Sequence, residues 1–79
     1  SRSLIANAPE GALALPFGEL QKQYPDVDMG SYPFQRLGRV GVSLVLRGTD
    51  PGRMAESMEK LKAIVRDLGV EPEDEDGKP

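Results

Sequence analysis

A chain of 79 residues has room for one domain, and it contains no His, Cys or Trp. The commonest general base, the thiol nucleophile, disulfide staples and thiolate metal sites are therefore excluded. The net charge of −3 is unevenly spread: residues 71–79 hold five acids against Lys78, whereas residues 1–70 carry nine Lys or Arg against eight Asp or Glu.

A body this close to neutral lacks the basic field of a duplex DNA binder. No apolar run approaches the ~20 residues of a membrane-spanning helix, so no membrane association is expected. The cysteine-free composition fits a reducing cytoplasm. The N-terminus has neither a signal-peptide apolar region nor an initiator Met, which suggests a piece of a longer protein.

In chain order, Arg2 to Ala6 is a short extended segment ended by Asn7-Ala8-Pro9. Leu13, Phe17, Leu20 and Tyr24 then recur at helical spacing. Pro16 predicts a helix start between Gly11 and Leu15, so that the proline falls in the first turn, where amide donors have few intrahelical acceptors. Pro25 and Asp26 stop that helix. Val27 to Phe34 reads as a strand closed near Pro33, with Gln35 to Gly38 as a hairpin loop. Beyond it, Val40, Val42, Leu44 and Leu46 share one strand face opposite Gly41, Ser43, Val45 and Arg47, an alternation that implies a sheet covered on one side.

Asp50 is an N-cap candidate, and Pro51 suits the first helical position. Met54, Met58, Leu61, Val65 and Leu68 follow at spacings of four and three, and Gly69 suits the position just past the helix. The expected fold is α+β: a two-layer βαββα domain over residues 1–70, with a three-stranded sheet and both helices on one face. Residues 71–79 have little to bury and many charges, so they are expected to form a disordered acidic tail.

No catalytic residue and no metal ligand can be assigned from these residue types. Asp26 and Asp28 lie two apart, a spacing that suits acid/base work or Mg²⁺, but the turn after Pro25 accounts for Asp26 and solvation of the open face accounts for Asp28 more simply. Arg36, Arg39 and Arg47 lie on or near the hairpin, and Arg53 opens the second helix. Arginines converging near a helix N-terminus can hold a phosphate or carboxylate. Gly38-Arg39-Val40-Gly41 matches the GxxG loop of KH-type domains, but that loop joins two helices and this one opens a strand. Gly30 inside a strand marks close backbone approach, and Tyr32 falls on the open face with a phenol free to meet a partner. Ser31 has no histidine to activate it. The candidate ligand or partner contacts are thus Gly30, Ser31, Tyr32, Arg36, Arg39 and Arg47.

Asp28-Met29-Gly30-Ser31-Tyr32-Pro33-Phe34, followed by Val42 through Arg47 and Gly48-Thr49-Asp50-Pro51, resembles the C-terminal part of the competence/damage-inducible protein A (CinA)-like family. Those proteins carry a molybdopterin-binding (MoaB/Mog-type) domain, and a related domain occurs in eukaryotic FAD synthetases. The resemblance implies a cytoplasmic bacterial protein in which the phosphate loops and acidic active-site residues lie in a preceding domain. It implies no cofactor for this stretch, leaving molybdopterin or a nucleotide to the parent protein.

Two readings follow. The first is a non-catalytic accessory or oligomerisation module that packs on an N-terminal molybdopterin-binding-like domain of the same chain or on a second copy. It would lend Tyr32 and the hairpin arginines to a nucleotide or pterin-phosphate site. The second is a KH-like binder of single-stranded nucleic acid or nucleotides through residues 38–41.

Overall fold

The computed structural model describes residues 1–75 as two layers with the element order βαββαβ: β1 (Arg2–Ala6), α1 (Glu10–Gln23), β2 (Asp28–Arg36), β3 (Arg39–Arg47), α2 (Pro51–Asp67) and β4 (Glu73–Asp74). The sheet runs β2-β3-β1-β4, and every neighbouring pair is antiparallel. β3 lies between β1 and β2, so β1, α1 and β2 form a split βαβ unit. The sheet therefore has four strands, not three. The extra one falls in the stretch expected to be a disordered tail, of which residues 76–79 lie outside the described residues.

Strand β4 forms because its acids find donors. Asp74 lies 3.7 Å from both Arg2 and Lys62, Asn7 donates to Glu73 at 2.9 Å, and Ser43 donates to Glu75 at 2.9 Å. The amide of Glu75 also donates to the carbonyl of Ser3 at 3.1 Å. A count of apolar side chains sees nothing to bury here, and pairing rather than burial holds the segment in place.

The covered face of the sheet is an apolar row on each central strand. Leu4 and Ala6 of β1 stand opposite Leu44 and Val42 of β3, and all four are fully buried beneath the helices. Leu13, Leu20 and Tyr24 from α1 and its exit meet Met54, Met58, Leu61 and Val65 from α2 over this floor. Two members of the expected apolar rows fall outside the core. Val40 shares the face of Val42 but is 51% exposed, because the hairpin end extends past the helix layer; Leu68, the C-cap of α2, is 38% exposed.

Helix α2 follows local rules closely. Asp50 is the N-cap, and its carboxylate accepts from the amides of Gly52 and Arg53 at 2.9 and 3.2 Å. Gly69 takes a φ of +86° just past the helix. Buried Ser57 satisfies its hydroxyl on the carbonyl of Met54 at 3.1 Å. Helix α1 departs from the expected start: it begins at Glu10, so Pro16 stands inside the helix rather than in its first turn. The proline removes one amide donor, and packing of Leu13 and Leu20 against α2 and the sheet holds the helix despite it. No helix among the described residues is long and apolar enough to cross a membrane.

Candidate functional site

Among the described residues, no helix covers the other side of the sheet. Pairing aligns Ile5, Ser43 and Tyr32 in one cross-strand row of this open face, Ser3, Val45 and Gly30 in a second, and Gly41 and Phe34 in a third. Two aromatic rings lie along it over glycines. A methyl at Gly30 would meet the Tyr32 hydroxyl at 3.0 Å, and one at Gly41 would meet Cζ of Phe34 at 2.5 Å. Both glycines thus keep the strand backbone clear for a flat ring, the close approach that a glycine within a strand signals.

At the hairpin end of this face, β2 and β3 join through only two residues, Leu37 and Gly38, with φ of +53° and +78°. Two positive φ angles in succession suit the right-handed twist of a hairpin, but the first normally calls for Asn, Asp or Gly. Leu37 takes it instead and is 98% exposed. The turn places Arg36 directly opposite Arg39. The Arg36 guanidinium lies 5.1 Å from the centroid of Phe34, and neither arginine has an ion pair among the described residues. Ile5, Asn7, Phe34, Leu37 and the acid Glu73 complete a shallow open cleft of about 560 Å³ around these two cations.

Toward the other end of the same face, Gly30, Tyr32, Val45 and Arg47 line a smaller hollow of about 140 Å³, where Asp28 stands opposite Arg47. Five of the six sequence candidates therefore share the open face in two groups: Gly30, Tyr32 and Arg47 in one, Arg36 and Arg39 in the other. Ser31 does not join them. It faces the helix side and donates to Glu10 at 2.9 Å, tying β2 to the start of α1.

The remaining charged candidates disperse. Arg53 grips Asp26 through two bonds of 3.0 and 2.7 Å, donates to the carbonyl of Gln23 at 3.3 Å, and stacks 4.4 Å from the centroid of Tyr24. Its hydrogen bond holds the Asp26 carboxyl below the ordinary carboxylate range. Tyr24, 1% exposed, donates its hydroxyl to Glu56 at 2.7 Å. This clamp fastens the exit of α1 to α2 and commits Arg53 to contacts within the domain. Asp26 and Asp28 do not converge, and no group of three or more acids that could hold a metal occurs among the described residues. Sequence spacing gave Tyr24 only an apolar role; a Tyr immediately before Pro-Asp, with Arg in the first turn of the next helix, was the available sign of the clamp.

Fold and face together define a two-layer α+β domain with one sheet surface open beside a cationic hairpin. The family model of the FAD synthase middle domain matches residues 1–74, and the chain belongs to that family. No curated protein and no solved structure shows a significant match to it.

Membership corrects the expectations drawn from the resemblance. The chain is not a CinA-like or MoaB/Mog-type domain, so neither a molybdopterin-binding parent nor an N-terminal molybdopterin-binding-like partner domain follows. The Gly-Ser-Tyr-Pro segment and the Thr-Asp-Pro stop were too short to fix a family. The KH-like alternative fails as well: Gly38 serves a β-hairpin turn and Gly41 lies under Phe34 within β3, so residues 38–41 join two strands and not two helices.

Proposed function

We propose that this chain is a non-catalytic docking domain of an FAD synthase, and that it docks through the open sheet face at the hairpin end. The observation that carries this reading is the placement of Arg36 opposite Arg39 around an exposed, left-handed Leu37. Like charges facing each other across a ladder are destabilising. A non-glycine residue in the left-handed region costs roughly 1–2 kcal/mol more. Strain of this kind persists where a contact offsets it, and an apolar tip between two cations suits a surface that is apolar at its centre and acidic around it. Gly30, Tyr32 and Arg47 extend the same face away from the tip. In this reading the chemistry of FAD synthesis belongs to other parts of such an enzyme. Absence of cysteine fits a cytoplasmic setting.

Hydrogen exchange tests this reading. In an FAD synthase that carries this domain, the amides from Phe34 to Arg39 should exchange about tenfold more slowly than in the 79-residue chain alone. Replacing Arg36→Glu and Arg39→Glu together in the whole enzyme should restore the faster rates. Equal exchange in the isolated chain and the whole enzyme would refute docking through this face.

A further inference from the structure

Strand β4 displays what the outer edge of β1 accepts. Glu73 and Asp74 pair with Ile5 and Leu4. Their side chains straddle the edge. Glu73 meets Asn7 and Glu75 meets Ser43, both at 2.9 Å, while Asp74 turns toward Arg2 and Lys62. An acid-rich extended segment thus already occupies this edge, with carboxylates received on both sides of β1.

The hold is slight. β4 pairs with only two of the five β1 residues. Its two ion pairs are long, at 3.7 Å, and the Asp74 side chain is 36% exposed, a setting in which such pairs contribute little. Oδ1 of Asp74 is buried without a hydrogen-bond partner among the described residues, which marks an imperfect fit. β4 does not extend toward the hairpin end, because Glu71 and Pro72, which lead into it from α2, lie outside the strand. Glu73 therefore lines the cleft that also holds Arg36 and Arg39 but forms no ion pair with either.

We infer that the outer edge of β1 and the adjoining Arg36–Arg39 cleft form a docking site for an extended acidic segment of another polypeptide, which displaces β4. This rests on the reading of the open face as a contact surface and adds the chemistry of the partner. A strand edge presents alternating amides and carbonyls, which another backbone satisfies and a small anion does not. An incoming segment that does not turn away toward α2 runs along β1 past Asn7 and carries carboxylates to Arg36 and Arg39, which have no ion pair among the described residues. The domain's own β4 then acts as a built-in competitor, lowering apparent affinity by the fraction of molecules in which the edge is covered.

The probe is a capped eight-residue peptide of alternating Glu and Thr, titrated into the 79-residue protein and followed by amide chemical shifts. Saturable shifts at Ile5, Asn7 and Arg39 are expected, weakened about tenfold by the Arg36→Gln, Arg39→Gln double variant. Ending the chain at Glu71 should tighten binding about fivefold by uncovering the edge. If that truncation unfolds the protein, the triple variant E73Q, D74N, E75Q loosens β4 while keeping its backbone, and it should also bind more tightly. Affinity unchanged or weakened in the folded β4 variant, or saturation by inorganic phosphate with no response to the peptide, would overturn the inference. Slowed exchange at the hairpin in the whole enzyme would still stand in that case, so the two failures are distinguishable.

Discussion

Val42→Ala and Val40→Ala remove the same two methyl groups from the same row of β3, two residues apart, and so isolate the effect of burial. Val42 is fully buried opposite Ala6, while Val40 is 51% exposed near the hairpin tip. At about 0.8 kcal/mol for each buried carbon, plus a contribution from the cavity left in a core that relaxes only in part, Val42→Ala should destabilise by roughly 2–3 kcal/mol. Val40→Ala loses about half the transfer energy and opens no cavity, which gives roughly 0.5–1 kcal/mol. Any intrinsic strand preference for valine is common to both and cancels in the comparison. Urea unfolding followed by far-ultraviolet circular dichroism should show the larger midpoint shift for Val42→Ala at an unchanged slope. Since a domain of this size is stable by roughly 4–12 kcal/mol, a 2–3 kcal/mol loss is readily measured. Equal midpoint shifts for the two variants would mean that the hairpin end is covered as deeply as the sheet centre, which would refute the placement of the helix layer and the openness of the cleft at that end.

Removing the α2 cap by Asp50→Ala leaves the amides of Gly52 and Arg53 without their acceptor and should destabilise the protein by about 1 kcal/mol in the same assay. Leu37→Gly should stabilise it by roughly 0.5–1 kcal/mol, because relief of the left-handed strain outweighs the added freedom of the unfolded chain; a loss of stability would show that Leu37 is not strained. The Asp26 carboxyl titrates below its ordinary value of 3.8 in the folded protein because it accepts hydrogen bonds from Arg53. Its stabilising effect is therefore fully present above that value and is lost as pH falls through the lower folded-state value. Acid titration of the melting temperature should accordingly fall less steeply below pH ~4 for Arg53→Met than for the unaltered protein.

The helix and strand most legible in the sequence are those whose signals are local. Asp50-Pro51 at one end of α2 and Gly69 at the other bound a regular apolar stripe, and the alternation from Val42 to Leu46 marks a half-covered strand. Three features were hidden because they depend on partners far along the chain. Strand β4 rests on Arg2, Asn7, Ser43 and Lys62, none of which its own composition reveals. The start of α1 before Pro16 reflects packing of Leu13 and Leu20 that overrides the proline. Tyr24 owes its place to Arg53 and Glu56, about thirty residues away. Of the candidate surface, the sequence indicated that Tyr32 and the hairpin arginines share an exposed region. It did not show that a two-residue turn sets Arg36 against Arg39, because that depends on strand register, nor that Ser31 faces the other way to hold Glu10.

Helix α1 carries Gly11, Pro16 and Gly18 within fourteen residues, whereas α2 contains a single glycine in its first turn and no interior proline. The two layers of the domain are thus unequal in autonomy. α2 can nucleate from its own cap and stripe, but α1 gains helical order only when the sheet and α2 are there to receive it. Because α1 links β1 to β2, the docking of β1 beside β3 depends on the element least able to form by itself. Assembly on the β2–β3 hairpin and α2 first, with β1 and α1 closing last, is the order that this asymmetry favours.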